Sequence, residues 1–237
     1  MMHMRGLLCL FTFLIWLSIE PITLAQNKAF VIDDRLSALR RAPDLKSTVL
    51  RRLRIGRAVY IVETRPARNQ QPKFYRVAVT RRTRGWLHEG AIVLPGRAGE
   101  DARALSLIQL AEGFDRLALC QFFIEKFNRS PLLPRVLLTF AEEAERAAAQ
   151  LNRSADRRLK NLSTTDSKFA ARDYYLSDTG LDRYSRLQIH FEFVEKHSEY
   201  IYDGQAYKEI LRRFPKSEEA KVAAKQLESQ RQRLAQK

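Results

Sequence analysis

Residues 74–93, "FYRVAVTRRTRGWLHEGAIV", contain two apolar segments separated by a run of arginines. In the first segment Tyr75, Val77 and Val79 alternate with other residues, and this period of two is typical of a half-buried β-strand. The second segment begins at Gly85 and ends in an apolar tail. The stretch therefore predicts two strands with a basic turn between them.

Further strand-like segments surround this pair. The segment "AVYIVE" at 58–63 is rich in β-branched and aromatic residues. Gly56, Pro66 and Pro72 punctuate the region, as glycine and proline do between short strands. Several strands within so short a region predict a small β-barrel, which we assign to residues 26–97.

The order of these motifs resembles the bacterial SH3-type domain over about residues 30–95. The turn "RRAP" at 40–43, the strand end "LRIG" at 53–56 and the closing "GWLH" at 85–88 stand in the family's sequence order. The resemblance implies an SH3-like β-barrel. It also implies association with cell-wall peptides or with protein partners.

The sequence pattern changes from strand-like to helix-like after Pro95. Glycines at 96 and 99 make a linker, and Glu100 or Asp101 can begin a helix, because acidic residues are favoured at the helix N-terminus. Few prolines and glycines interrupt the rest of the chain. We therefore predict an all-α domain over residues 98–237, with roughly five to seven helices.

Two segments of this predicted domain share the pattern aliphatic-x-x-Phe-x-x-Ser. The matching residues are Ile124, Phe127 and Ser130 in one segment and Leu211, Phe214 and Ser217 in the other. A helix, a Phe turn and a Ser that caps the next helix resemble tetratricopeptide or related helical-hairpin repeats. The predicted fold class is thus α+β multidomain: a small SH3-like β-barrel followed by an all-α helical-repeat, tetratricopeptide-like domain.

Residues 1–25 have the composition of a signal peptide. Arg5 precedes an apolar run of 11 residues from Leu7 to Leu17, and small residues end the segment at Ala25. The run is shorter than the roughly 20 residues that span a bilayer. The sequence predicts a secreted or periplasmic protein with no transmembrane span after cleavage, and a retained N-terminal anchor is the alternative.

The net charge of +15 is distributed unevenly. Residues 26–97 hold 17 Lys and Arg against 5 Asp and Glu, a net charge of +12, whereas residues 98–237 hold 24 against 21, a net charge of +3. So large an excess on a small domain favours an anionic partner. Because export removes the chain from the cytoplasm, we expect an anionic envelope polymer, a cell-wall peptide or a protein partner, and not nucleic acid.

Catalytic and metal-binding patterns are weak. Cys120 lies in an apolar helical pattern, which predicts a buried thiol, and His88 lies in the other predicted domain. His190 and His197 are seven residues apart on a predicted helix, too far to hold one ion together. We predict no cofactor, no metal and no enzymatic activity. The alternative is a cell-wall hydrolase that uses the barrel for targeting.

Two groups of residues are candidates for binding. The predicted contact residues of the barrel are Trp86 and Tyr75, flanked by Arg82 and Arg84. The two arginines are included because arginine binds carboxylates and phosphates through two parallel hydrogen bonds. The second group is the six tyrosines of residues 174–207. We predict that these fill helix–helix contacts, and a groove that binds a peptide is the alternative.

Overall fold

The computed structural model describes residues 28–65, 73–160, 181–194, 196–197 and 199–235, so the predicted signal peptide lies outside the described residues. The described chain is a mixture of α and β structure, and an antiparallel sheet comes first. Six helices and a second, two-stranded sheet follow it. The coarse α+β prediction is confirmed.

The first sheet has seven strands. They are β1 (Lys28–Val31), β2 (Ala38–Arg40), β3 (Val49–Arg52), β4 (Ala58–Arg65), β5 (Phe74–Ala78), β6 (Arg84–His88) and β7 (Ile92–Val93). Their spatial order is β3-β2-β6-β5-β4-β1-β7, and each neighbouring pair is antiparallel. The two strands predicted from residues 74–93 correspond to β5 and β6, at the centre of the sheet. The apolar tail does not continue β6, because a 3-10 turn over Glu89–Ala91 intervenes and Ile92–Val93 form the separate edge strand β7.

Gly85 allows β2 to approach β6 closely. A Cβ atom built at Gly85 would lie 2.7 Å from Cγ of Leu39 and 2.8 Å from the carbonyl oxygen of Arg40. Both distances are shorter than ordinary van der Waals contact, so a larger residue would force the two strands apart. The glycine of the "GWLH" motif therefore has a steric role.

Strands β1 and β7 contact two hydrophobic cores. Val31 and Ile92 belong to the interior of the sheet, whereas the next residues along each strand, Ile32 and Val93, pack with the helices. Successive strand residues point to opposite faces, which explains this division. The guanidinium of Arg103 donates hydrogen bonds of 2.7 Å to the carbonyl of Ile92 and 2.6 Å to that of Gly90.

The helices begin where the linker predicts. They are α1 (Glu100–Leu110), α2 (Gly113–Lys126), α3 (Leu133–Lys160), α4 (Asp182–Ser185), α5 (Gln205–Arg213) and α6 (Glu218–Ala235). Gly99 precedes α1 with a φ of +82°, in the left-handed region that glycine adopts without strain. Helix α3 lies at the centre and packs against α2, α5 and α6.

The two segments with the Phe and Ser pattern form turns of the same geometry. Phe127 ends α2 and Phe214 ends α5, and each donates its N–H to the carbonyl four residues earlier. Ser130 and Ser217 each donate a backbone N–H to the preceding Phe, at 2.9 and 3.0 Å. Arg213 joins the turns through a 3.1 Å hydrogen bond to the carbonyl of Asn128. The internal similarity thus corresponds to two helical hairpins that contact each other.

The prediction that residues 98–237 are all helical is wrong at one place. Strands β8 (Phe191–Val194) and β9 (Glu199–Tyr202) form an antiparallel hairpin there. Aromatic residues face each other across it, with Phe193 opposite Tyr200 at a ring-centroid distance of 5.0 Å. Alternation of aromatic and other residues in "FEFV" and "EYIY" is a strand signal that prevails over the helical pattern of the surrounding sequence.

The amide of Asn152 on α3 attaches this hairpin to the helices. Its Nδ2 donates to the carbonyl of Tyr200 and its Oδ1 accepts from the N–H of the same residue, both at 2.8 Å. The side chain thereby makes the two hydrogen bonds that a neighbouring strand would make. His190 precedes β8 and His197 lies in the turn after it, so the helix predicted to carry both is absent.

Candidate basic binding surface

Of the four predicted contact residues, Tyr75, Arg84 and Trp86 are divided between the two faces of the sheet, and Arg82 lies in the turn between β5 and β6. Tyr75 lies opposite Leu87 and belongs to the interior core. Trp86 is next to Leu87 in β6, so its side chain points to the other face. Residues opposite each other in an antiparallel pair share a face. Arg84 is two residues before Trp86 in β6, so it shares the outer face with Trp86.

Trp86 lies between two arginines on that outer face. Arg76 of β5 and Arg40 of β2 are its register partners on either side. Cβ atoms of such partners are about 5 Å apart, and the aliphatic part of an arginine can lie over an indole at this spacing. Trp86 is 8% exposed. The position of Arg76 beside Trp86 was not predicted, because a strand's register cannot be read from its own sequence.

Few carboxylates neutralise this part of the protein. Arg76 forms an exposed ion pair with Glu63 at 3.3 Å, and the guanidinium of Arg40 donates to the carbonyl of Ser47 at 2.8 Å. Eight further arginines are exposed, and none has a carboxylate oxygen within 4 Å among residues 28–65, 73–160 and 181–235 as far as these are described. They are Arg41, Arg51, Arg52, Arg54, Arg57, Arg81, Arg82 and Arg84.

Hydrogen bonds that do not involve the arginine side chains stabilise the turn between β5 and β6. The carbonyl of Thr83 accepts the N–H groups of Val79 and Thr80, at 2.9 and 3.3 Å. The hydroxyl of Thr80 accepts in turn from the N–H groups of Arg82 and Thr83, at 3.3 and 3.0 Å. The guanidinium groups take no part in these bonds. The positive charge of the turn is therefore not required to form it.

Tyr75 has a separate environment on the opposite side of the sheet. The ammonium of Lys73 lies 4.9 Å from the centre of its ring, and its hydroxyl accepts a long hydrogen bond of 3.5 Å from Arg97. These groups border a groove of about 380 Å³ between the sheet and the start of α1. The structure thus brings Arg84 and Trp86 together, and it leaves Tyr75 at a different surface.

The two side chains considered for catalysis, Cys120 and His88, are buried or in contact with neighbouring residues. Cys120 is fully buried in α2, as predicted, and burial raises the pKa of its thiol to about 12. Burial lowers the pKa of His88, whose Nδ1 accepts the N–H of Gly90 at 2.9 Å. The ring of His88 also packs edge-on against Phe74. Both side chains thus have structural contacts.

Metal-binding groups were sought over the described residues only. They hold no cluster of three or more His, Cys, Asp or Glu side chains that could bind a metal ion. Within the same residues, no helix is both long enough and apolar enough to cross a membrane.

The described tyrosines of the predicted cluster are packed inside the helical part. Tyr184, Tyr200, Tyr202 and Tyr207 are between 0% and 8% exposed; Tyr174 and Tyr175 lie outside the described residues. Burial raises the pKa of Tyr202 and of Tyr207. All four side chains are buried in the packing of the protein, as predicted, but Tyr200 and Tyr202 lie in strand β9 and not between two helices.

Tyr207→Phe tests the packing of this cluster. The Tyr207 hydroxyl is buried, and no described residue meets it at good hydrogen-bond geometry, although the Glu145 carboxyl is near enough to interact with it; its removal therefore relieves a desolvation cost that is poorly compensated. We expect the free energy of unfolding to stay constant or to rise by up to about 1 kcal/mol. Urea unfolding monitored by circular dichroism measures the change. A loss of more than about 1 kcal/mol would show that the hydroxyl makes a stabilising contact.

Comparisons with protein-family models, with curated protein sequences and with solved structures find no match to this chain.

Proposed function

We propose that this chain is an exported, non-enzymatic binding and scaffold protein of the bacterial cell envelope. In this proposal the basic sheet is an SH3-like barrel that binds an anionic envelope polymer, or an acidic peptide or protein. The helical part is a degenerate tetratricopeptide-like array that holds a second protein. The contact residues of the basic sheet are Arg82, Arg84 and Trp86, with Arg40 and Arg76 beside the tryptophan.

The observation that carries the proposal is the set of eight exposed arginines without a described carboxylate partner. Like charges this dense repel each other and destabilise a small domain. In the β5–β6 turn the fold does not use them, since Thr80 and the backbone hold that turn. An anionic partner would offset the repulsion, which gives the charge a function.

The family assignment has support from two features. The Gly85-Trp86 pair lies in a central strand of an antiparallel sheet, and Gly85 is needed for the close approach of β2. The two Phe and Ser turns share one geometry and join pairs of packed helices. Both features agree with the motifs that suggested the two families.

Arginine determines which anionic groups would bind. A guanidinium offers two parallel N–H groups that match the oxygens of a phosphate or a carboxylate. Each exposed contact contributes at most about 1 kcal/mol, so affinity depends on several arginines together. Exposed charges are screened within about 10 Å at 0.1 M salt. Binding by this surface should therefore weaken as salt is added.

Arg82→Ser with Arg84→Ser tests the proposal. The chain from Gln26 onward keeps every described residue and is applied to purified anionic cell-wall material at about 0.05 M and about 0.15 M salt. We expect the double variant to bind about tenfold more weakly at the lower salt concentration, because two exposed charge contacts are lost.

Arg129→Ser with Arg135→Ser is the matched control. These two arginines are exposed, lie in the helical part and have no ion-pair partner among the described residues. The control lowers the net charge by the same amount and should retain binding. Equal loss in both variants would show that only net charge matters. Release of soluble wall fragments by the unaltered chain would contradict the non-enzymatic assignment.

A further inference from the structure

A groove of about 370 Å³ lies where the sheet meets the first two helices. We call it the junction groove. Ile55 and Leu107 form half-buried parts of its lining, and Leu110 at its edge is 75% exposed. Its volume falls in the range of sites that take several side chains of a ligand. Leu110 thus adds exposed apolar surface to the edge of the groove.

Four carboxylates and one guanidinium, that of Arg35, line the junction groove. Asp34, Glu112 and Asp115 line it and are exposed, and none has a cationic group within 4 Å among the described residues. Asp33 also lines the groove but is paired with Arg35 at 2.8 Å. Three carboxylates in a chain of net charge +15 thus remain without a described counterion. The partner that fits here is apolar and basic.

The hairpin between β2 and β3 has that chemistry. Its tip exposes three large apolar side chains at 43% to 49%: Leu45, Val49 and Leu50. Arg41 and Lys46 are the exposed cationic residues beside the tip, whereas the hairpin's single acid, Asp44, accepts the backbone N–H of Lys46 at 2.8 Å. Strand β3 ends the sheet order, so one side of the hairpin has no neighbouring strand among the described residues.

A hairpin tip and a junction groove in the same chain cannot meet. Leu53 and Ser37 are joined by a 3.1 Å backbone hydrogen bond at the base of the hairpin. That base adjoins Asp34 and Ile55 of the groove, and strands β2 and β3 run from it toward the tip. Strands advance about 3.3 Å per residue, so the tip is carried away from the groove.

We propose that the junction groove binds the β2–β3 hairpin tip of a second copy of this chain, with the leucines in apolar contact and the basic side chains paired with Asp34, Glu112 and Asp115. This inference does not rest on the proposed function. The two surfaces differ, so a pair joined by one such contact still has one free tip and one free groove. Such head-to-tail contacts produce open chains, or rings if the rotation closes.

Two variants remove one surface each. The groove variant carries Glu112→Lys and Asp115→Lys, and the tip variant carries Arg41→Glu and Lys46→Glu. The chain from Gln26 onward should form dimers and larger species at about 100 µM in sedimentation velocity, whereas each variant alone should remain a monomer. In an equal mixture, the tip of the groove variant binds the groove of the tip variant. The mixture should therefore form dimers and nothing larger.

Arg81→Glu with Arg82→Glu is the control. It changes the net charge as the tip variant does, but at the β5–β6 turn, and it should leave self-association unchanged while weakening binding to anionic wall material. Circular dichroism verifies folding, and Leu110→Ser and Leu50→Ser replace any variant that does not fold. An unaltered chain that remains a monomer overturns the inference, as does a mixture without dimers. If the unaltered chain remains a monomer and binds an unrelated basic, leucine-containing peptide, the inference is overturned, because the groove then binds a segment of another protein.

Discussion

Replacing Arg116 with alanine should lower the free energy of unfolding by about 3 kcal/mol or more. The guanidinium lies between three helices and is only 18% exposed. Its Nε donates a 2.6 Å hydrogen bond to the carbonyl of Ala111, just after α1, and its Nη1 forms a 3.0 Å ion pair with Glu143 of α3. Alanine would remove the less exposed of the two cationic partners of the buried Glu143 carboxylate, and it would leave the end of α1 without this donor. Both losses are costly.

Arg146→Ala is the matched control for this prediction. Arg146 pairs with the same Glu143 oxygen at 3.1 Å, but its side chain is 56% exposed. Solvent screens that pair, so the variant should cost less than about 1 kcal/mol. Urea unfolding of both variants by circular dichroism gives the comparison. Equal losses would contradict the view that Arg116 holds the helical part together.

Replacing Gly85 with alanine should cost about 2 to 3 kcal/mol. The new methyl group would meet Leu39 and the carbonyl oxygen of Arg40 at distances below 3 Å. The Leu39 side chain is itself fully buried, so it has little room to move. The strain would separate β2 from β6 and should also weaken binding to anionic wall material, because Arg40 and Trp86 are register partners.

Gly56→Ala is the matched control, because it replaces a glycine by alanine without a steric clash. A methyl group at Gly56 meets nothing within 4 Å, but its φ of +79° is left-handed. The cost of an alanine there is about 1 kcal/mol. Thermal and urea unfolding should therefore rank Gly85→Ala as the more destabilising change. The reverse order would mean that β2 and β6 can separate at little cost.

Local patterns predicted the local structure well. The alternation of Tyr75, Val77 and Val79 identifies β5, and the acidic residues after Gly99 identify the start of α1. The Phe127 and Phe214 motifs correspond to two turns of one geometry. In each case neighbouring residues determine the conformation through periodicity, helix dipole or capping.

Features that depend on distant residues were not predictable. The β8–β9 hairpin is fixed by Asn152, 48 residues before Tyr200, and no pattern in residues 190–202 contains that partner. Tyr75 and Trp86 lie on opposite faces because of the register between β5 and β6. The junction groove joins Asp34 to Asp115 across the sheet and the helices. Tertiary pairing determines each of these.

Binding to a linear polyphosphate at several salt concentrations tests whether the arginines of the sheet that have no described carboxylate partner bind an anionic polymer. Each arginine that displaces a counterion should contribute a slope of about 0.7 to the fall of log K with log salt. We therefore predict that changing Arg81, Arg82 and Arg84 to serine lowers the slope by about 2 and weakens binding at every salt concentration. An unchanged slope and affinity would contradict the claim.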